Sequence, residues 1–118
     1  MKRIVPFCAA LFVSATVFSQ PTEPVDLTTE EIVALLKGKS ISTQNTQWGS
    51  VSLQFKENGA LHGNNDGGSD SGKWRVVEGK LCLEWRRWDY EGCGVVRRVG
   101  SEVQHLWPNG GVHFVYRP

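Results

Sequence analysis

One stretch of the sequence, residues 72–99, constrains the fold more than any other. On both sides of Glu78-Gly79, apolar residues alternate with mostly polar ones. Because successive side chains of a strand point to opposite faces, this period of two predicts strands with one buried face. Glu78-Gly79 suits a short hairpin, since glycine accepts the positive φ of such turns. A longer turn over residues 87–92 returns the chain as residues 93–99, so three consecutive antiparallel strands are expected.

Two cysteines lie within this stretch. Cys82 and Cys93 are expected to face each other near the open end of the second hairpin. A disulfide there would stabilise the folded state by roughly 3 kcal/mol on the chain-entropy model, because it closes a loop in the unfolded chain. The alternative is a pair of buried free thiols, and the cellular compartment decides between the two.

The N-terminus indicates export. Met1-Lys2-Arg3 precedes an apolar run over residues 4–18, and Val17 and Ser19 fit the small-residue rule for cleavage after Ser19. Residues 1–19 are therefore predicted to be a signal peptide, and the apolar run is too short for a comfortable membrane span. The protein is expected to be periplasmic or secreted, without stable membrane insertion once the leader is removed. An uncleaved anchor is the alternative.

Removal of this leader changes the charge and the cysteine count. The full chain has 13 basic and 12 acidic side chains, and loss of Lys2 and Arg3 makes the balance slightly negative. Such a balance gives no reason to expect nucleic acid or a membrane surface as partner. Cys8 is lost as well, and an even pair of cysteines in an exported chain favours a disulfide between Cys82 and Cys93.

The remaining chain is expected to be a short tether, residues 20–26, followed by one β-rich domain, residues 27–118. Its one helix signal begins at Thr28, which can cap the helix, with Glu31 completing a capping box. Gly38 is a natural left-handed stop. We expect this helix to pack on the sheet, with a partner-binding helix as the alternative.

The rest of the domain predicts further short strands. Asn58-Gly59 suits a type I′ hairpin turn, whereas residues 64–71 are polar and glycine-rich and are expected to form a loop. In all, about seven short strands joined by tight turns describe an antiparallel meander. Such a sheet removes its exposed edges by curling into a small barrel or sandwich. The predicted fold class is therefore mainly β.

Three segments of the sequence carry a resemblance. They are D-S-G-K-W-R-V, G-K-L-C-L-E-W and G-C-G-V-V-R-R-V, at residues 70–76, 79–85 and 92–99. In them the chain resembles an uncharacterised family of small exported bacterial β-rich proteins, a domain of unknown function. The resemblance implies the fold and the disulfide but no activity. The strand arrangement is also similar to that of calycins, small barrels that hold apolar ligands or inhibit proteases.

The second hairpin supplies the candidate binding site. Trp88 and Tyr90 lie in its turn and are expected to be exposed beside arginines, and exposed aromatic side chains with arginines suit sugars, peptides or protein partners. The alternative is that Trp88 covers the open end of the barrel while the arginines only solubilise it. The predicted binding residues are Arg86, Arg87, Trp88, Tyr90 and Arg97.

Other polar residues give weaker signals. Asp66 and Asp70 lie in an oxygen-rich loop, but no glutamate follows at the spacing of a calcium loop, so no metal site is predicted. His105 and His113 flank the last turn and are expected to be neighbours on the wet face of a hairpin. A hydrolase site would pair His62 or His113 with one of the two aspartates. The sequence contains none of the HExxH, GxSxG, P-loop or CxxC motifs.

These observations predict a binding module without catalysis or cofactor. Its expected partner is an envelope protein or a glycan, bound through the Trp/Arg-rich turn. A calycin-like carrier with an apolar pocket formed by Trp48, Trp74, Trp85 and Phe114 is the main alternative, and a hydrolase is a weaker one.

Overall fold

A computed structural model describes residues 23–118, so the predicted signal peptide lies outside the described residues. In this part of the chain, one helix and nine strands follow one another: β1 Val25–Asp26, α1 Thr29–Leu36, β2 Lys39–Asn45, β3 Gly49–Phe55, β4 Ala60–Asn65, β5 Gly68–Val77, β6 Lys80–Trp85, β7 Glu91–Val99, β8 Glu102–Leu106 and β9 Val112–Tyr116. Val25 and Asp26, at the end of the predicted tether, form β1.

The strands from β2 to β9 form a closed antiparallel barrel. Each pairs with the next along the chain, and β9 pairs back onto β2. The barrel therefore has eight strands, while β1 adds a ninth by pairing with β7. The mainly β, antiparallel prediction is confirmed, and the strand count of about seven was too low.

The polar segment, residues 64–71, contributes strand pairing that the sequence did not predict. This segment was expected to be a loop, but it contains the end of β4, a tight turn at Asp66-Gly67 and the start of β5. The Asn65 side-chain oxygen accepts the Gly67 N–H at 2.8 Å and so supports the turn. Small polar residues are therefore held in strands by their neighbours in a closed sheet rather than by their own propensity.

Two hairpin turns differ in their glycine geometry. Glu78 and Gly79 both have positive φ, 51° and 76°, as expected for a type I′ turn. At the other turn φ is positive at Gly59 but not at Asn58, and the Gly59 N–H donates to Lys56 O at 3.0 Å. The type I′ prediction there was wrong, because the Lys56 N–H donates to Ala60 O at 2.9 Å and closes a three-residue loop, residues 57–59, of which only the last is left-handed.

The helix begins as predicted. Thr28 is the N-cap, its hydroxyl accepts the Glu31 N–H, and the Glu31 carboxylate accepts the Thr28 N–H. Ile32 and Leu36 are buried and belong to the same apolar cluster as the inward side chains of the barrel. Gly38 follows the helix with a φ of 76°, the left-handed geometry expected of a helix stop.

The barrel has two distinguishable ends, because consecutive strands run in opposite directions. The helix end carries α1 and the turns β3–β4, β5–β6 and β7–β8. The aromatic end carries the connections β2–β3, β4–β5, β6–β7 and β8–β9. The aromatic end takes its name from four side chains in or beside those connections: Trp48, Trp85, Trp88 and Trp107.

A disulfide links β6 and β7. Cys82 and Cys93 are bonded and are register partners. They lie in the middle of the paired segment, between Lys80↔Val95 and Glu84↔Glu91, rather than near the open end of the hairpin. Within residues 23–118, no helix is long and apolar enough to cross a membrane.

Candidate functional site

Two loops of the aromatic end are held by buried polar side chains. At the end of β2, the Asn45 side-chain oxygen accepts the N–H groups of Gln47 and Trp48, at 2.7 and 3.1 Å. These two bonds fix the backbone that carries Trp48. Because Asn45 is itself buried, the loop is anchored to the barrel wall rather than free in solvent.

Asp70 anchors the second loop in the same way. One oxygen of its buried carboxylate accepts the N–H groups of Arg87 and Trp88, both at 2.8 Å. Burial opposes ionisation of this group, but hydrogen bonds from Trp88, Arg87 and Ser71 outweigh it and lower the pKa of Asp70. The carboxylate is therefore ionised at neutral pH, and it holds in place the backbone that carries Trp88.

The two loops bring their indoles together over the barrel interior. The ring centroids of Trp48 and Trp88 are 5.3 Å apart, and those of Trp85 and Trp88 are 4.8 Å apart. Space for them exists because Gly63 has no side chain. A Cβ there would lie 2.8 Å from both Trp85 and Trp88. Trp88 therefore lies between Trp48 and Trp85, and the three half-buried tryptophans form one cluster packed against the core.

A small cavity of about 10 Å³ lies beneath this cluster. One water-sized sphere needs about this volume. The lining residues are Thr43, Asn45, Trp48, Val51, Leu53, Trp85, Trp88, His113 and Phe114. Two of them contribute buried polar atoms without a hydrogen-bond partner among the described residues, Trp85 Nε1 and His113 Nε2. A cavity of this size gives the apolar-carrier alternative no support.

A buried network of Tyr90, His105 and His113 lies next to the cavity. The Tyr90 hydroxyl donates to Leu106 O at 2.8 Å and lies 3.1 Å from His105 Nε2. His105 Nε2 lies 3.1 Å from Leu81 O, and the two Nδ1 atoms of His105 and His113 are 3.0 Å apart. Each side chain of the network therefore touches the next inside the barrel.

Burial shifts the titration of all three groups. It raises the pKa of Tyr90. Burial, together with the neighbouring His113, lowers the pKa of His105 to about 3. Burial lowers the pKa of His113 to about 4. Both imidazoles are therefore neutral at neutral pH, and the network carries no net charge.

The predicted binding residues do not all lie on one surface. Arg86 and Arg87 are exposed beside the half-buried Trp88. The prediction that Tyr90 is exposed was wrong, because its hydroxyl finds its acceptor in the core and only 3% of the residue is accessible. Arg97 lies at the other end of β7, six residues or roughly 20 Å from the start of that strand. There it is bound to Gln104.

The two exposed arginines line a surface cleft of about 380 Å³. The other lining residues are His62, Ser69, Asp70 and Ser71. Arg87 is engaged at this site, since its guanidinium lies 3.5 Å from the Asp70 carboxylate and donates to Ser69 O at 2.8 Å. None of the ion pairs between described residues involves Arg86, which leaves its charge directed to solvent.

The prediction that His105 and His113 lie on the wet face of the last hairpin was wrong. His105 and His113 are neighbours, but they lie in the core rather than on a wet face. A bulge between His105 and Leu106 shifts the register of β8 and β9, so that His113 and Phe114 are both buried although they are consecutive. The only signal available in the sequence was the aromatic character of this hairpin.

The weaker chemical alternatives find no matching geometry. The Asp70 carboxylate already accepts hydrogen bonds from the Trp88 loop. Within residues 23–118, no group of three or more histidine, cysteine or acidic side chains is placed to hold a metal ion. In the same range, no hydrogen bond joins a histidine to Asp66 or Asp70.

Comparison with known proteins gives no relative. No family model matches the chain, and no curated protein or solved structure is significantly similar to it. The resemblance to a family of small exported proteins therefore stays a prediction.

Proposed function

We propose that this chain is an exported binding module that recognises an envelope glycan through the aromatic end of its barrel. The proposed surface consists of Arg86, Arg87, Trp88 and the cleft beside them. The observation that carries the proposal is the anchoring of this surface. Buried Asp70 holds the backbone of the Trp88 loop by two short hydrogen bonds and lies 3.5 Å from the Arg87 guanidinium, so the loop is ordered before any ligand arrives. Such preorganisation lowers the entropic cost of binding.

The distribution of apolar surface favours a glycan over a protein as partner. Protein interfaces usually have an apolar centre surrounded by polar residues. Among the described residues, the large exposed apolar side chains are Val25 and Val77, and both belong to strands at the helix end. The aromatic end instead offers half-exposed indoles and a polar cleft. Flat aromatic and polar side chains together match the faces and hydroxyls of a sugar ring.

Export of the chain is the second part of the proposal. Two features support it, the predicted signal peptide over residues 1–19 and the Cys82–Cys93 disulfide, since disulfides persist mainly in oxidising compartments. Fractionation of cells that express the full chain is expected to recover it outside the cytoplasm and shortened at its N-terminus. Recovery of the uncleaved chain in the cytoplasm would contradict export.

The glycan proposal is tested with a matched pair of arginine variants. Arg86→Ala removes an exposed charge beside the cleft, whereas Arg98→Ala removes an exposed charge near the far end of β7. Retention on immobilised dextran and alginate is expected for the wild-type protein and for R98A, and R86A is expected to bind about tenfold more weakly. Equal retention of R86A and R98A, or no retention of the wild-type protein, would overturn the glycan proposal. R86A-sensitive capture of an envelope protein in place of polysaccharide would favour the protein alternative instead.

A further inference from the structure

Two residues that line the cavity under the three tryptophans each carry a buried polar atom without a hydrogen-bond partner among the described residues, and one atom is a donor while the other is an acceptor. The donor is Trp85 Nε1, because an indole nitrogen always carries its proton. It is buried and has no partner among the described residues, and Trp85 lines the cavity. Buried polar groups in folded proteins are nearly always paired, so each exception needs an explanation.

The second unsatisfied group is an acceptor, as its hydrogen-bond partners show. His105 Nε2 lies 3.1 Å from Leu81 O, which can only accept, so this nitrogen carries the proton of His105. The Nδ1 of neutral His105 is then an acceptor, and the proton between the two rings belongs to His113 Nδ1, 3.0 Å away. His113 Nε2 is left with a bare lone pair. His113 is only 3% exposed and lines the same cavity as Trp85.

The chemistry of the pair selects the group that fits between them. A cation would be repelled by the indole N–H, and an anion would be repelled by the imidazole lone pair. A hydroxyl both accepts and donates, and the cavity of about 10 Å³ has room for one oxygen atom. The buried wall of the cavity is built from residues of β2, β3 and β9, while Trp48 and Trp88 are half-exposed and form its outer side.

We propose that the aromatic end has a hydroxyl subsite for a neutral sugar ring. One hydroxyl of the ring accepts a hydrogen bond from Trp85 Nε1 and donates one to His113 Nε2, while the ring lies against Trp48 and Trp88. This inference rests on the proposed glycan-binding function and names the part of the ligand that the barrel recognises. It assigns recognition to Trp85 and His113, whereas the cleft beside Arg86 is a separate part of the surface.

The chain supplies a matched pair of tryptophans for the test. Trp74 lies on the neighbouring strand, and its Nε1 is satisfied by Lys56 O at 2.8 Å. Trp85→Phe and Trp74→Phe both remove an indole N–H and keep an aromatic ring. We expect W74F to lower the unfolding midpoint more than W85F, because only W74F loses a hydrogen bond made within the protein.

Binding is measured from the indole ¹H–¹⁵N resonance of Trp85 in the wild-type protein. The probes are the methyl glycosides of glucose, galactose, mannose and N-acetylglucosamine, each beside its fully O-methylated derivative. At least one methyl glycoside is expected to shift this resonance saturably, and its O-methylated form is not. W74F is expected to bind that glycoside like the wild-type protein, and W85F roughly tenfold more weakly. Binding to W85F and W74F is followed by calorimetry.

Four results would overturn the hydroxyl subsite. They are no saturable shift with any glycoside, equal binding of an O-methylated probe, equal binding to W85F and W74F, or a long-lived water in the cavity that no glycoside displaces. The outcome is separable from the test of the proposed function. Loss of polysaccharide retention in R86A with unchanged glycoside binding to W85F rejects only the subsite. Retention by R86A with weakened binding to W85F rejects only the arginine surface.

Discussion

The two ends of the barrel treat chemically similar side chains differently. At the helix end, the Trp74 indole donates to Lys56 O at 2.8 Å. At the aromatic end, the buried Trp85 Nε1 has no partner among the described residues. The two residues lie on paired strands and are placed by the same alternation. An unpaired buried donor costs about 1–3 kcal/mol, so the Trp85 indole contributes less to stability than the Trp74 indole does.

The capping interactions follow the same division. The capping box of Thr28 and Glu31 at the helix end stabilises a secondary-structure element. The caps made by Asn45 and Asp70 at the aromatic end stabilise two irregular loops that carry Trp48 and Trp88. Buried polar side chains that order loops instead of helices are typical of surfaces that must keep a fixed shape for a ligand. This contrast supports the assignment of binding to the aromatic end.

The largest expected effect is a loss of unfolding free energy at acidic pH, caused by the buried His105 and His113 near the aromatic end. Because burial lowers the pKa of His113 to about 4 and that of His105 further, the unfolded chain binds more protons below its own histidine pKa of about 6.5. Stability is therefore complete above about pH 6.5 and falls as the pH drops toward 4. The slope approaches about 1.4 kcal/mol per pH unit for each histidine, which gives a loss of about 6 kcal/mol over the range.

Urea unfolding across this pH range measures the slope. His113→Phe removes one of the two buried imidazoles, so its slope is expected to be smaller by about 1.4 kcal/mol per pH unit. An unchanged slope in H113F would show that the buried histidines do not set the acid sensitivity. The comparison between the ends would then lose its electrostatic part.

Replacement of Asp70 is expected to have an intermediate effect, confined to the aromatic end. Asp70→Ala leaves the Arg87 and Trp88 N–H groups without their acceptor. We expect a loss of about 3 kcal/mol in unfolding free energy, together with faster amide exchange at residues 86–90. Asp70→Asn keeps an oxygen acceptor and serves as the control with a smaller loss. Unchanged exchange in D70A would contradict the anchoring role.

The smallest effect is expected from the capping box at the helix end. Thr28→Ala removes the acceptor for the Glu31 N–H and is expected to cost about 1 kcal/mol. Amide exchange should increase in the first turn of α1, with no change in the resonances of Trp48 and Trp88. A change at those tryptophans in T28A would show that the two ends are coupled, and the contrast between them would need revision.

The sequence predicted the parts of the fold that local patterns determine. The alternation around Glu78-Gly79, the paired cysteines and the capping box at Thr28 each depend on residues near one another in the chain, and each is present. The polar hairpin around Asp66-Gly67 was missed because its small polar residues have low strand propensity, and the pairing of β4 with β5 and β3 holds them in strands. The placement of Asp70 in a strand follows from the same pairing.

The site was predicted only in part, for a similar reason. Arg86, Arg87 and Trp88 lie together because they are consecutive in one loop. The cavity beneath Trp88 could not be read from the sequence, since it needs Trp48 from another loop and His113 from a strand with a shifted register. Alternation places either His113 or Phe114 inside the barrel, and a bulge is needed to place both there.

The seam of the barrel, where β9 pairs with β2, has a consequence for the folding of newly made chains. β9 meets β2 through only the pairs Thr43↔Tyr116, Gln44↔Val115 and Asn45↔Phe114, whereas β2 and β3 share seven pairs. Until this last contact forms, both outer strands of the meander offer unpaired backbone to other molecules. A weakened seam would therefore appear first as chains linked strand to strand into oligomers, before any loss of secondary structure is detectable.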